Sequence, residues 1–347
     1  CMSTGHVSAD LQKFAFSSED VLTRKFLALP IQHTPGTHFL YNTPATYMLS
    51  AIVQKVTGEG LIEYLTPRLF EPLGISGPTW SESPQGIAHG GFGLNVRTED
   101  IARFGQMILQ RGEWDGRQIV PAEWVQMATS RQTSNGSNPD SDWNQGYGFQ
   151  FWRCRHDCFR GDGAFGQYCI VMPEQDAVLA VTSGAKDMGA IMRQAWEHLL
   201  PAMHEDPLPP QKKLNQALSK RLEELTLPLV EGATLGGAKP DHERRYRFAE
   251  NDLGLQSIQL QLSGDAALVV EDQAGEISIP LGSDGWRRSR VARVGPLSER
   301  IPNAEDVAVA SHAAWTDGQT LHVRLWLYES PYRIDMVVRY DEDELQL

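Results

Sequence analysis

The stretch PGTHFLYNTPATYMLSAIVQKVTG, residues 35–58, is the key to interpreting the first half of the chain. Its proline–glycine pair is typical of a turn, and a short extended segment follows. Asn42 or Thr43 stands where a helix N-cap is expected, because the proline that comes next is tolerated in the first helical turn. Apolar residues then recur at helical spacing up to a closing glycine. The sequence therefore predicts a turn, an extended segment and a helix, with Tyr41 at the corner before the helix.

Tyr41 has two possible roles at this corner. A phenol held between rigid neighbours can face a cleft and take part in chemistry. For a single tyrosine, packing against neighbouring side chains is the commoner role. The local pattern does not separate these roles.

Four successive segments resemble one enzyme superfamily. The pattern Pro-Gly-x-x-Phe-x-Tyr-x-[Asn/Ser/Thr], followed by an apolar helix ending in Val-Thr-Gly, resembles the second motif region of the serine β-lactamases and penicillin-binding proteins. The other three segments are YLTPRLFEPLGISGPTW (Tyr64–Trp80), GGFGLNVRTEDIARFGQMIL (Gly90–Leu109) and GDGAFGQYCIVMPEQDAVLAVTSG (Gly161–Gly184). They are most similar to the class C-like, esterase-like branch, which includes aminohexanoate-oligomer hydrolases. The resemblance implies an α+β fold, in which helices flank an antiparallel sheet, and acyl transfer through a serine.

The resemblance also assigns roles to individual residues. Tyr41 takes the place of the second-motif tyrosine, which moves protons beside a Ser-Lys pair. Thr43 falls where many members have asparagine or serine, and its hydroxyl can orient substrate. Gly161-Asp162-Gly163 aligns with the third motif, and the N–H of Ala164 is the implied oxyanion donor. Without the resemblance, this glycine-rich stretch is equally well interpreted as a bulged hairpin.

Two chemical expectations follow from these roles. An isolated phenol has a pKa near 10, so proton transfer by Tyr41 predicts a positive charge beside it. The first position of the third motif, Gly161, carries neither lysine nor histidine. The resemblance therefore implies an ester or a neutral amide as substrate, since a carboxylate-bearing substrate would lack its cationic partner.

The nucleophile of the superfamily lies in a Ser-x-x-Lys motif upstream of an LLTHTSG-like segment. This chain opens with Cys1–His6, which resembles the tail of that segment, and its first residue is not methionine. We therefore expect the nucleophile helix to be missing and this chain to be inactive alone. Ser183-Gly184-Ala185-Lys186 also spells Ser-x-x-Lys, but it follows the third motif, so we interpret it as chance. No Gly-x-Ser-x-Gly elbow is present, which argues against an α/β-hydrolase.

Composition limits the remaining function classes. The 347 residues are 41% hydrophobic and 22% charged, as in ordinary globular proteins. The net charge of −13 disfavours nucleic acid and anionic membranes as partners, and no apolar run is long enough to span a bilayer. We expect a small-molecule ester or amide as substrate, no cofactor, and cytoplasmic residence by default. The sequence does not determine the oligomeric state.

The cysteines offer little chemistry. Cys154 and Cys158 flank His156, but this spacing supplies too few ligands for zinc. Free thiols or a hairpin disulfide are the better interpretations, and we predict no metal site.

Changes in composition divide the chain into three parts. Residues 1–205 hold all four matched segments and are predicted to form a hydrolase domain that lacks its amino-terminal part. Residues 206–240 begin with a proline-rich linker and continue into a helix whose leucine stripe we expect to dock on a domain face. Residues 241–347 alternate apolar and polar side chains, which predicts an accessory antiparallel meander or barrel without chemistry.

Within the first part, a loop over residues 130–146 is rich in Ser, Asn, Gly and Pro. Trp143 and Tyr147 at its end could line a substrate cleft or anchor the loop, and both interpretations stay open. Strands are predicted over 148–153, 167–172 and 177–183, and a helix over 188–203.

Two function classes remain on this scaffold. The first is a serine hydrolase acting on an ester or amide through an acyl-enzyme. The second is a catalytically silent binding or sensor protein, which the missing lysine or histidine of the third motif would permit.

Overall fold

The computed structural model describes residues 1–11, 14, 21–237, 244–251, 254–294, 306–340 and 344–346. The chain divides into two compact units, Cys1–Asp206 and Pro207–Leu347. Part of the predicted 206–240 segment lies outside the described residues. No helix in the described parts of the chain is long and apolar enough to cross a membrane.

The first unit combines helices with short antiparallel strands. Its described helices are α1 (Ser8–Leu11), α2 (Leu22–Leu27), α3 (Thr43–Thr57), α4 (Leu61–Leu65), α5 (Thr98–Leu109), α6 (Ala122–Thr129) and α7 (Met188–Gln194). Its described strands are β1 (Thr79–Trp80), β2 (Leu94–Asn95), β3 (Glu113–Trp114), β4 (Arg117–Gln118), β5 (Trp152–Arg153), β6 (Phe159–Gly163), β7 (Gln167–Met172) and β8 (Ala177–Val181).

Helix α3 forms as the sequence predicts. Asn42 is its N-cap, and the Asn42 Oδ1 accepts a hydrogen bond from the Ala45 N–H at 3.0 Å. Gly58 ends the helix in the left-handed region, with φ of +76°, which glycine adopts without a Cβ clash. Local capping chemistry therefore fixes where the polypeptide turns into the helix.

Strands β5 to β8 form one antiparallel sheet in chain order. Successive side chains of a strand point to opposite faces, so each face has its own partners. One face carries Phe159 and Val171 in a core shared with Met107 of α5. The other carries Ile170 in a core shared with Trp196, beyond α7. A sheet between helices confirms the predicted α+β fold.

Gly105 allows α5 to lie close to this sheet. A Cβ at Gly105 would be 2.6 Å from Val178 Cγ1 and 2.7 Å from Cys169 Sγ, distances that real Cβ atoms do not show. The glycine is therefore a packing requirement in the middle of a helix.

Some elements differ from the predictions. The strand predicted over 148–153 is reduced to β5. The alternation pattern does not predict β6, because two of its five residues are glycines, which give a weak strand signal. The helix predicted over 188–203 is α7 followed by a π-helical turn, Ala195–Leu199, and a 3₁₀ turn, Leu200–Ala202. The predicted loop over 130–146 contains no described helix or named strand.

The second unit contains helix α8 (Lys212–Glu223). Its antiparallel strands surround one apolar core. The described strands are β9 (Arg245–Arg247), β10 (Leu255–Gln261), β11 (Ala267–Asp272), β12 (Gly275–Pro280), β13 (Arg287–Val291), β14 (Val307–Trp315), β15 (Thr320–Trp326), β16 (Arg333–Arg339) and β17 (Glu344–Gln346). They form two meander sheets, β9 to β12 and β13 to β17, each paired in chain order. Leu260 and Ile279 of the first sheet meet Val309 and Leu321 of the second.

Helix α8 carries the predicted leucine stripe. Leu214, Leu218 and Leu222 are between 57% and 62% exposed. The structure therefore gives no support to the prediction that this stripe docks on a domain face.

Candidate active site

The corner at Tyr41 is fixed by the first residues of the chain. Leu40 N–H donates to the Met2 carbonyl at 2.8 Å, and Asn42 Nδ2 donates to Thr4 Oγ1 at 2.8 Å. Asn42 is completely buried, so its side chain is held between the amino-terminal segment and the start of α3. Hydrogen bonds therefore hold the residues on both sides of Tyr41 in place.

The Tyr41 side chain is 45% exposed and lies against β5. Its ring stacks on Trp152, with centroids 5.6 Å apart and planes 19° apart. Burial and the nearby Asp162 carboxylate raise the pKa of Tyr41. Among the described residues, the charge that acts on this phenol is the Asp162 carboxylate and not the expected cation, so Tyr41 is protonated at neutral pH.

The residues predicted to be the third motif, Gly161–Gly163, form the end of strand β6. Gly161 and Gly163 pair with Cys169 and Gln167 of β7, whereas β5 pairs only with residues 159 and 160. Among the described strands, none covers the other edge of Gly161–Gly163. A Cβ at Gly161 would meet no atom within 4 Å, so this position borders open space.

Ala164 lies at the tip of the hairpin that joins β6 to β7. Phe165 and Gly166 follow it with φ of +66° and +79°, so two consecutive left-handed residues reverse the chain. Strand β6 pairs with Trp152 through Arg160, the residue before Gly161, and the Asp162 carboxylate acts on the Tyr41 phenol. The start of the predicted stretch Gly161–Ala164 therefore lies near the Tyr41–Trp152 contact.

Asp162 forms a buried ion pair with Arg160, which lies on the same face of β6. The Arg160 Nε and Nη2 groups donate to Asp162 Oδ2 at 3.1 and 2.9 Å, and the Arg160 side chain is completely buried. Burial raises the pKa of Asp162, against hydrogen bonds from Arg160 and Trp143 that favour the ionised form. Burial lowers the pKa of Arg160, but Cys154 and Asp162 outweigh it and raise that pKa overall, so the guanidinium stays charged.

Aromatic rings surround this ion pair. The Arg160 guanidinium carbon lies 4.9 Å from the Trp143 ring centroid and 5.5 Å from that of Trp152, within cation–π range. Tyr147 is 2% exposed and meets Trp152 edge-on at 4.9 Å. Of the two open interpretations, Tyr147 anchors the loop, whereas Trp143 contacts the charged pair beneath the site.

Thr43 packs against the glycine-rich turn after His89. A Cβ at Gly91 would lie 2.9 Å from Thr43 Cγ2, and one at Gly90 would lie 3.0 Å from the Thr46 carbonyl oxygen. These glycines let the turn lie directly on the first two turns of α3. Thr43 is half-buried there, two residues after Tyr41 and at the first position of the helix.

Ser183 of the second Ser-x-x-Lys sequence has a structural role. Its Oγ donates to the Phe165 carbonyl at 2.6 Å and accepts from the Ala185 N–H at 3.2 Å. This hydroxyl therefore closes the turn behind the β6–β7 hairpin. Lys186 is exposed.

The cysteines are free thiols, and no group of three or more metal-ligating side chains occurs in the parts of the chain that are described. Cys154 Sγ accepts a hydrogen bond from Arg160 Nη1 at 3.0 Å, and burial raises the pKa of Cys158 to about 12. These thiols are packing and hydrogen-bonding groups of the core.

Sequence reasoning missed two residues of this site, Trp152 and Arg160. Trp152 lies in the predicted strand over 148–153, but its pattern does not mark it as a site residue, and Arg160 lies in a strand whose glycines weaken the strand signal. The available signal was the Arg-x-Asp spacing at 160 and 162, which places opposite charges on the same face if the segment is a strand.

The comparison with protein families is consistent with this geometry. A family model described as "Beta-lactamase" matches residues 3–202, which include Tyr41 and the whole of the β5–β8 sheet. The chain belongs to the beta-lactamase family. The matched range nearly coincides with the first compact unit of this beta-lactamase-family chain.

Individual relatives are more distant. A 6-aminohexanoate-dimer hydrolase from Paenarthrobacter ureafaciens is 28% identical over 158 residues, which are 43% of this chain and 40% of the relative. A solved structure from Bacillus anthracis, also named for 6-aminohexanoate-dimer hydrolase, has 20% identity and a TM-score of 0.48, and covers 59% of this chain and 58% of its own. An octameric penicillin-binding protein homologue from Pyrococcus abyssi has 18% identity and a TM-score of 0.43. The match covers 96% of this chain and 76% of the homologue. The beta-lactamase-family chain thus spans about half the length of the first two.

Proposed function

We propose that the Cys1–Asp206 unit supplies the proton-transfer and oxyanion-binding residues of a serine hydrolase that cleaves an ester or amide through an acyl-enzyme. The observation that supports this proposal is the contact between Tyr41 and Trp152, since Trp152 pairs with Arg160 in the strand that also contains Gly161. The nucleophilic serine and its lysine would belong to the part of the natural protein that precedes Cys1.

In this mechanism the serine oxygen attacks the substrate carbonyl carbon, and its proton passes to the lysine and tyrosine pair. The negative charge that develops on the carbonyl oxygen is held by the Ala164 N–H and a second backbone N–H. Tyr41 then donates a proton to the leaving alcohol or amine, which departs as the acyl-enzyme forms. Water attacks the acyl carbon by the same route in reverse and regenerates the serine.

The raised pKa of Tyr41 fits one half of this role. A protonated phenol is ready to donate to a leaving group without assistance. Acting as a base requires the lysine ammonium nearby, since a neighbouring cation lowers the pKa of a phenol. Tyr41 therefore needs the upstream lysine when it accepts the proton of the serine. It does not need the lysine when it donates a proton to the leaving group.

The preferred substrate is an uncharged ester or amide. Gly161 gives the first position of the third motif no cation, and the guanidinium that precedes it is paired with Asp162. The name of the Paenarthrobacter ureafaciens relative, a 6-aminohexanoate-dimer hydrolase, supports a hydrolase of this kind.

The second candidate is a catalytically silent binding or sensor protein. The carboxylate beside Tyr41 favours it, because the phenol has no described cation to activate it. In this case the unit would bind a neutral ligand at the same edge of the sheet without turning it over.

The natural full-length protein decides between these candidates. It should be mixed with p-nitrophenyl acetate, quenched within one turnover and analysed by intact mass spectrometry. Hydrolysis with an added mass of one acetyl group supports the hydrolase. Binding of the ester without release of p-nitrophenol or added mass supports the silent protein and contradicts the hydrolase.

A further inference from the structure

Arg160 places a full positive charge beneath the candidate active site. It directly precedes Gly161 in β6, and its side chain is 0% exposed. Arg160 and Asp162 are two residues apart in a strand, so both side chains point to the face opposite that of Gly161. A cation is therefore present at the third motif, although its first position is a glycine.

A single described carboxylate, that of Asp162, neutralises the charge of Arg160. The Nε and Nη2 groups of Arg160 both donate to Asp162 Oδ2, while Nη1 donates to the Asp142 carbonyl at 2.9 Å and to Cys154 Sγ at 3.0 Å. The Asp142 carboxylate is engaged elsewhere, by Arg155 and by the Trp196 N–H. Among the described residues, Asp162 is therefore the ion-pair partner of Arg160.

The pair is close enough to the site to affect what binds there. Trp152 contacts both the Tyr41 ring and the Arg160 guanidinium, at 5.6 and 5.5 Å from its centroid. The Asp162 carboxylate acts electrostatically on Tyr41 itself. Both distances are shorter than the Debye length of about 10 Å at 0.1 M salt, so a net charge on the pair would be felt at the Tyr41 ring.

We propose that Arg160 is a masked cation and that Asp162, by neutralising it, makes the site select uncharged substrates over carboxylate-bearing ones. This inference rests on the proposed function and names its specificity determinant. Neutralisation at short range leaves a dipole in place of a charge, and a dipole attracts a carboxylate far less than a guanidinium does. Removing either partner exposes the charge of the other, with opposite consequences for an anionic substrate.

A series of charge-neutralising variants of the natural full-length protein tests whether Asp162 masks the charge of Arg160. The substrates are neutral p-nitrophenyl acetate and the carboxylate-bearing mono-p-nitrophenyl ester of glutaric acid. For Asp162→Asn we expect the ratio of kcat/KM for the anionic ester to that for the neutral ester to rise about tenfold, the size of one pK unit of charge interaction. Arg160→Gln should lower the ratio by a similar factor. The double variant Arg160→Gln with Asp162→Asn should return it to the wild-type value.

Asp187→Asn is the matched control. Asp187 pairs with Arg193 at 2.6 Å, and both side chains are more than half exposed. The variant makes the same chemical change and the same change in net charge, and asparagine still caps α7. It should leave the ratio unchanged. A folded Asp162→Asn protein whose ratio equals that of the control overturns the proposal, because a purely structural ion pair predicts that result.

Breaking a buried pair can prevent folding, so the unmodified protein supplies a second test. Between 50 and 500 mM NaCl, a masked cation predicts that KM for the anionic ester does not rise relative to that for the neutral ester. A relative rise of about threefold or more means an active cation at the site and overturns the proposal.

The two proposals can fail separately. If the wild-type protein hydrolyses neither ester, the proposed function fails, and masking is measured by calorimetric titration with benzoate and benzamide. Benzoate binding that tightens about tenfold in Asp162→Asn, with benzamide binding unchanged, supports the masked cation. Equal benzoate affinities in the two folded proteins, including no detectable binding to either, overturn it.

Discussion

The phenol ring of Tyr41 lies parallel to the indole of Trp152, with centroids 5.6 Å and planes 19° apart. Trp152 pairs with Arg160 across the β5–β6 ladder, so one aromatic contact joins the corner before α3 to the strand of the third motif. The two segments are more than 100 residues apart in the chain. This contact brings the candidate proton donor and the candidate oxyanion strand to one place.

Replacing Tyr41 by phenylalanine tests proton transfer alone. The ring can still stack on Trp152, so the melting temperature should stay within a few degrees of the wild-type value. Turnover of p-nitrophenyl acetate by the natural full-length protein should fall by about two to four orders of magnitude, the range for losing a general acid–base group. Thr43→Ala should lower turnover by a smaller factor, because a hydroxyl that orients substrate transfers no proton.

Tyr328→Phe is the control for this measurement. Tyr328 lies in the second unit and is 46% exposed, against 45% for Tyr41. Its variant should keep wild-type turnover. If Tyr41→Phe does so as well, the tyrosine only packs and the mechanism is wrong.

A cation at Gly161 should change substrate preference. A Cβ there meets no atom within 4 Å, and its φ is outside the left-handed region, so Gly161→Lys needs no backbone change. We expect kcat/KM for a carboxylate-bearing ester to rise about tenfold relative to that for a neutral ester. Gly285→Lys, another position open to a side chain, is the control in the second unit. No change in the ratio would place Gly161 outside the substrate site.

Ser183 should resist acylation. Its Oγ donates a hydrogen bond to the Phe165 carbonyl at 2.6 Å, and no described basic side chain forms a hydrogen bond with it. The 347-residue chain treated with a fluorophosphonate probe should therefore show no stoichiometric added mass. Ser183→Ala should lower the free energy of unfolding by about 1 kcal/mol, as expected for a lost hydrogen bond. Labelling that disappears in Ser183→Ala would identify Ser183 as a nucleophile and refute an upstream serine.

The second unit should be dispensable for chemistry. Its apolar core is built from its own strands, and the cores beside the candidate site are built from the first unit. The natural protein truncated after Asp206 should keep its turnover number on a neutral ester within about threefold, since no proposed catalytic group is removed. Circular dichroism confirms that the truncated protein is folded. A folded protein without turnover would assign the second unit a part in the reaction.

Gly105→Ala should destabilise the first unit despite the better helix propensity of alanine. The new methyl group overlaps Val178 and Cys169, and overpacking a core costs about 1–3 kcal/mol. Gly189→Ala in α7 is the matched control, because its methyl group meets the movable end of Arg193 at 3.0 Å. Urea unfolding of both variants measures the difference. Equal stabilities would mean that α5 moves away from the sheet without cost.

Much of the first unit follows from local sequence signals. Asn42, the proline after Thr43 and the glycine at 58 predict the bounds of α3, and β7 occupies the predicted residues 167–172. The local pattern alone does not predict strand β6, because glycines at 161 and 163 have little strand propensity and are held there by pairing with β7. A ladder partner is a long-range contact, which a local pattern does not contain.

The family resemblance, the helix that follows Tyr41 and the lack of a lysine or histidine at position 161 all follow from the order of residues alone. What lies beside the phenol depends on the fold: the Trp152 ring stacks on one side, and the Asp162 carboxylate is the described charge that acts on it. Helix caps and helical spacing depend on residues within a few positions of one another, so a local pattern contains them. The pKa of a side chain depends on burial and on charges close in space, and here those charges lie some 120 positions away in the chain.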